Sequence, residues 1–129
     1  MPPSLLARVR KICLALPDTE ERVSWGEPTW RTKGKDGRIF VSFASAKNHH
    51  GDGRDAVWLK STQMNQEFVL RSNPKRYFKP PYVGPIGWIG AYLDSRTKWR
   101  ELASLIEDAY ALAAPKKKSR GLTRKKRGH

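Results

Sequence analysis

Two kinds of side chain are grouped in this sequence in ways that could do chemistry, and in both cases the chemistry is binding rather than catalysis. The first kind is basic. Lys33, Lys35 and Arg38 flank one glycine-rich stretch, Lys47 and Arg54 flank another, and Lys75, Arg76 and Lys79 interleave with Tyr77, Phe78 and Tyr82, while Arg31 and Lys60 stand on apolar segments between them. A denser group, Lys116, Lys117, Lys118, Arg120, Arg124, Lys125, Lys126 and Arg127, falls in residues 115–129, which contain no acid. The second kind is aromatic and includes five tryptophans, among them Trp58 and Trp88. Bases that neutralise phosphates release counterions, and an exposed aromatic face adds about 1–3 kcal/mol of stacking per base on a single strand. Both groupings point to nucleic acid, DNA ahead of RNA. The competing reading is that the charges only solubilise the chain and that Trp58 and Trp88 close a second small core.

Catalytic groupings are absent by the same test. His49 and His50 with Asp52 are neighbours on a glycine-rich loop, which does not fix a ligand geometry, so no metal is expected. Glu20 and Glu21 are adjacent rather than facing, and neither Ser24 nor Ser42 has an identifiable base, so both serines read as strand residues. Cys13 lies on an apolar helical stripe and reads as a buried, inert thiol. No helix-turn-helix, zinc finger or basic zipper is present to enter a major groove, so contact with the backbone is expected to dominate over sequence readout.

Composition bounds the rest. The 129 residues are 38% hydrophobic, enough for one modest core. Of the net charge of +14, +8 belongs to residues 115–129 and +6 to residues 1–114, where eighteen bases face twelve acids. Concentrated charge of one sign repels itself, which predicts a folded domain over 1–114 and a disordered basic arm over 115–129. One cysteine excludes an internal disulfide, and no apolar run approaches the ~20 residues of a bilayer span. A cytoplasmic, monomeric protein with no cofactor and no membrane partner is expected.

The elements that must hold these groups follow from periodicity. Leu5, Leu6, Val9, Ile12, Cys13 and Leu16 form one stripe of a first helix, capped by Ser4 and stopped by Pro17. Gly26 and Pro28 bend the chain before a strand from Thr29 to Lys33, and residues 34–37 are a hairpin turn into a strand from Arg38 to Phe43. Alternation puts Ile39, Val41 and Phe43 on one face with Val57, Leu59, Ile89, Ala91 and Leu93, and Phe40, Ser42, Trp58, Lys60, Trp88 and Tyr92 on the other. That assigns strands to 56–60 and 86–93, with a further edge strand near Val23. A short helix capped by Ser61 or Thr62 should bury Met64, Phe68 and Val69 and end before Pro74, residues 75–82 form a surface loop, and Asp94 or Ser95 starts a last helix.

Taken together, Leu16-Pro17-Asp18-Thr19-Glu20-Glu21, Trp25-Gly26-Glu27-Pro28-Thr29-Trp30-Arg31, Gly34-Lys35 and Pro81-Tyr82-Val83-Gly84-Pro85-Ile86-Gly87-Trp88-Ile89-Gly90 resemble the MmcQ/YjbR family in several separated motifs, in order. The resemblance covers roughly Leu5 to Ala114. It implies an α+β, CyaY-like fold: an antiparallel sheet of about five strands with helices on one face, in the order α-β-β-β-β-α-β-α. It also implies a double-wing DNA-binding protein with no catalytic residues to carry over. The aspartate common near the start of the family's last helix is not evident here, where Thr97-Lys98-Trp99-Arg100 stands. That shifts the local charge towards phosphate binding or merely changes a cap. The expected function is non-enzymatic, sequence-tolerant nucleic-acid binding through the basic hairpins, the aromatic face with Trp88, and the basic arm; the alternative is a protein-interaction or small-ligand module that uses the aromatic face.

Overall fold

The structure, a computed structural model, describes residues 3–47 and 53–114. Helix α1 (Leu5–Leu14) starts where Ser4, in extended backbone, accepts the Ala7 N–H on its side-chain oxygen at 3.0 Å. Val9 and Cys13 point inward, and Thr19 closes the exit by donating to the Cys13 and Leu16 carbonyls. Six antiparallel strands follow: β1 (Thr19–Ser24), β2 (Glu27–Thr32), β3 (Ile39–Ala44), β4 (Ala56–Leu59), β5 (Tyr77–Phe78) and β6 (Ile89–Tyr92), in the sheet order β1-β2-β3-β4-β6-β5. Helix α2 (Gln63–Ser72) sits between β4 and β5 in sequence and packs against β5 and β6. Helix α3 (Trp99–Ala113) crosses β2, β3 and β4 beside α1, so α1 and α3 cover one face of the sheet.

The covered face holds the core. Val41, Phe43, Val57, Leu59, Ile89 and Ala91 meet Val9, Cys13, Leu102, Ile106 and Ala109 in one buried cluster. Trp30 joins it fully buried, and its indole N–H donates to Glu21, whose carboxylate also receives two bonds from Arg10 at 2.7 and 2.9 Å. That network ties α1 to β1 and β2, and it satisfies the one polar atom of an indole that burial would otherwise leave costly.

The α+β architecture is as expected, and several local expectations are corrected. Strand β3 carries a bulge: Trp30 pairs with Val41 but Arg31 pairs with Ile39, leaving Phe40 as the extra residue. Two successive side chains of β3 then face the helices, and Phe40 lies edge-on to Tyr110 of α3 at 5.5 Å, while Ile39 falls on the opposite face. Secondly, β6 begins at Ile89 rather than Ile86, because Gly84–Ile86 forms a 3-10 turn, so Trp88 precedes the strand. Thirdly, the expected loop over residues 75–82 contains β5, a pair of ladder residues too short to show alternation. Lastly, α3 starts at Trp99. Asp94 instead organises the turn before it, accepting the Arg96 N–H and donating its own N–H to Thr97 Oγ1. Met64 and Phe68 of α2 are exposed, and Gln66 and Val69 are the buried residues. Residues His49, His50 and Asp52 and the arm over 115–129 lie outside the described residues.

Candidate nucleic-acid interface

Among the described residues no helix covers the second face of the sheet. Thr29, Ser42 and Trp58 stand side by side there on β2, β3 and β4, and the next position across, on β6, is Gly90. A side chain at Gly90 would collide with the Phe78 ring, so the glycine is what lets Phe78 of β5 lie flat over the sheet. Phe78 stacks on Tyr92 at 4.4 Å, and the Arg54 guanidinium lies 3.6 Å from the Tyr92 centroid. Trp58, set on the face opposite Leu59 as expected, therefore marks the boundary between this filled edge and an open groove of about 510 Å³. Ile39, Ser42, Thr29 and Trp58 line the groove from the sheet, with Trp88 beside them. Trp25 and Glu27 border it from the β1–β2 turn, and Tyr82 and Val83 from the 79–88 segment.

Both exposed border aromatics are held by unusual backbone. Trp25 (86% exposed) and Gly26 form the two-residue link between β1 and β2, with φ of 58° and 79°, which makes a type I′ turn. Asparagine or glycine is the favoured occupant of that first position, and a bulky side chain there costs about 1–2 kcal/mol. Tyr82 (71% exposed) has φ of 66°. Its segment is fastened by α2: Gln66, buried, donates to the Gly84 carbonyl at 2.8 Å and the Trp88 carbonyl at 2.6 Å, and Gln63 donates to the Pro85 carbonyl. Pro80, Pro81 and Pro85 remove backbone donors from this segment while leaving its carbonyls, and the α2 amides meet part of that need. A polar residue at the inward position of a helical pattern, following a predicted cap and preceding a proline-rich loop, was the available signal for Gln66.

The basic residues separate into four groups. Lys33, Lys35 and Arg38 are exposed on the β2–β3 turn and form no ion pair among the described residues. Lys60 joins them at the same end of the sheet, its N–H bonded to the Phe40 carbonyl and its ammonium 5.8 Å from the Trp88 centroid. Lys47 and Arg54 lie at the other end, on the β3–β4 connection, so the strands separate the two hairpin groups. The third group is turned inward. Arg31 donates to the Thr32 and Gly34 carbonyls and lies 3.7 Å from Glu20, and Arg76 donates to the Tyr92 carbonyl and to Asp94. Lys75 and Lys79 are exposed at the β5 edge. The backbone N–H of Arg96, then the Arg76 guanidinium, hold the Asp94 carboxyl below the usual carboxylate range. Lys116, Lys117, Lys118, Arg124, Lys125, Lys126 and Arg127 fall outside the described residues.

Two side chains with reactive heteroatoms, Cys13 and Tyr77, are committed to the interior. Cys13 is fully buried, and burial pushes its thiol up, away from the thiolate a nucleophile needs. The Tyr77 hydroxyl, raised by burial and by its bond to Glu101, is also committed. Among the described residues no cluster of three or more His, Cys, Asp or Glu could hold a metal ion, and no helix is long and apolar enough to cross a membrane.

A crystal structure of the Deinococcus radiodurans protein DR2400, described as a DUF419 domain, is similar to this chain, with a TM-score of 0.70, 16% identity and coverage of 87% of this chain and 80% of that one. At that identity the likeness is one of fold. No curated protein matches the chain significantly. The family model described as YjbR matches residues 14–112, from the last residue of α1 to the last turn of α3, and the chain therefore belongs to the YjbR family.

Proposed function

We propose that the protein binds nucleic acid, DNA ahead of RNA, largely without sequence preference and without catalysing a reaction. The observation that carries this is the cluster of Lys33, Lys35 and Arg38, exposed and without an ion pair among the described residues, at the end of the sheet where Lys60 approaches Trp88. In a double-wing arrangement this turn is one wing and the β3–β4 connection with Lys47 and Arg54 is the other. Strands of six residues set the wings roughly 20 Å apart. A polyanion touching both must run along the strands and over the open face. The arm over 115–129, with its +8, adds a second electrostatic contact. The protein acts as a cytoplasmic monomer in this reading. The apolar lining of the groove supports a second reading, a small-ligand or protein-docking module, in which the arm serves only for location.

The test is a salt series of DNA and RNA binding by the full chain, by a chain ending at Ala114, and by the full chain carrying Lys33→Gln, Lys35→Gln and Arg38→Gln. Each phosphate neutralised contributes about 0.9 to the slope of log K against log salt, so the triple variant flattens it by up to ~2.7. Removing the arm flattens it by several units, and neither change alters preference between unrelated sequences. A truncated chain that binds one sequence tightly at high salt overturns the proposal, as does a triple variant with an unchanged slope.

A further inference from the structure

The groove on the open face is too small for a duplex and is built largely of rings. We infer that it receives an unpaired base of single-stranded nucleic acid, stacked against Trp25 or Tyr82 with Trp58 beneath, while the strand's phosphates run past Lys60 and the β2–β3 turn. The inference rests on the nucleic-acid reading above and adds to it the form of the ligand.

Three observations converge on this occupant. The volume of about 510 Å³ lies within the ~300–1,000 Å³ of sites for compact organic ligands, and its walls are aromatic and aliphatic with a few polar groups, Ser42 and Glu27 among them. Glu27 is fixed by the Ser45 N–H and hydroxyl at 3.0 and 2.9 Å, which sets a carboxylate at the rim within a mostly apolar lining, a suitable acceptor for a base N–H such as the N3–H of thymine. Secondly, both left-handed aromatics of the described chain border this one groove, and both are left largely in solvent. Exposed rings at positive φ cost stability twice, once in the backbone and once in unburied apolar surface, and such outliers gather where a ligand is clamped. Thirdly, Lys33, Lys35 and Arg38, which form no ion pair among the described residues, lie with Lys60 at one end of the groove, which favours a ligand that is aromatic in part and anionic in part. A nucleotide strand is both.

The test uses the full chain and three probes: an oligothymidine of about twelve nucleotides, a strand of the same length without bases, and a duplex of the same length. Trp25→Asn suits the type I′ turn better than tryptophan and removes the ring, so it should melt at a higher temperature than the parent and yet bind oligothymidine about 5- to 100-fold more weakly. Tyr82→Asn, also tolerant of positive φ, should show the same loss. Binding of the abasic strand and of the duplex should stay within about twofold in both variants. Equal affinity of the parent for oligothymidine and the abasic strand, or unchanged oligothymidine affinity in both variants, overturns the inference and leaves electrostatic binding standing. Failure of all three probes to bind at low salt overturns the nucleic-acid reading itself, and the inference with it.

Discussion

The two faces of the one sheet are made from the same strands and have been treated in opposite ways. On the covered face, Val41, Leu59 and Ile89 stand in register across β3, β4 and β6, all buried beneath α1 and α3. On the open face the register one residue along runs Ser42, Trp58, Gly90, so a hydroxyl, a partly buried indole and an absent side chain occupy the positions where a core would put aliphatics. Strand alternation supplies both sets at once, so selection on one face leaves the other free to vary. The covered face gains by burial, at roughly 25 cal/mol per Å² of apolar area. The open face retains strain at Trp25 and Tyr82 and leaves most of both rings in water, features that cost stability. A surface that keeps costs of this kind is the part of the molecule to search for a ligand.

The sharpest break of this comparison uses two neighbours on β3. Phe40 and Ile39 differ by one position, and simple alternation would bury Ile39 and expose Phe40. The bulge reverses them: Phe40 is fully buried against Tyr110, and Ile39 borders the groove. Phe40→Ala should therefore lower stability by about 3–5 kcal/mol, while Ile39→Ala costs under ~1.5 kcal/mol, both measured by urea unfolding. Equal losses would mean that the bulge does not separate the two side chains.

What the sequence made legible, and what it hid, follows from the same positions. The helices, the hairpins and the aliphatic face were readable because Val41, Val57 and Ile89 repeat with the period their structure demands. The bulge was not, since one unpaired residue leaves no mark in a pattern of apolar residues that are all plausible core. Strand β5 hid because two residues cannot display a period, and α3 was started too early because Asp94 and Ser95 are good caps that here serve a turn instead. The aromatic character of the open face was readable from Trp58 and Tyr92. The groove itself was not, because it depends on where Trp25 and the 79–88 segment are folded back over the sheet.

A second break concerns pH and the covered face. Hydrogen bonds from Arg10, then from the Trp30 indole, hold the Glu21 carboxyl below its ordinary range, against the opposing effect of burial. The unfolded chain thus takes up this proton at a higher pH than the folded one. The stabilisation is complete above the ordinary carboxylate value of about 4.3 and is lost as pH falls through the lower, folded value. Urea midpoints should drop between neutral pH and pH about 3 in the parent, and part of that drop should vanish in Glu21→Gln. An unchanged pH dependence in the variant would remove Glu21 from the account. Nucleic-acid affinity should stay the same in Glu21→Gln at neutral pH, because the network lies under the helices and away from the groove.

The smallest expected effect belongs to α2, where the sequence and the structure disagree most plainly. Met64, Phe68 and Val69 have the spacing of a buried stripe, yet Met64 is 83% and Phe68 71% exposed. The helix is rotated so that Gln66 and Val69 face inward instead. The reason is polar: the Trp88 carbonyl needs a donor, and leaving it unmet would cost about 1–3 kcal/mol, comparable with what burying one more apolar side chain would return, while the Gly84 carbonyl, already bonded to the Gly87 N–H, takes a second bond. The amide of Gln66 meets both carbonyls. Met64→Ser and Phe68→Ser should therefore leave the unfolding free energy within about 0.5 kcal/mol of the parent, where buried positions would lose 2–5 kcal/mol. A loss of that larger size in either variant would turn α2 back onto its apolar stripe and withdraw Gln66 from the 79–88 segment, and with it the support that holds Tyr82 over the groove.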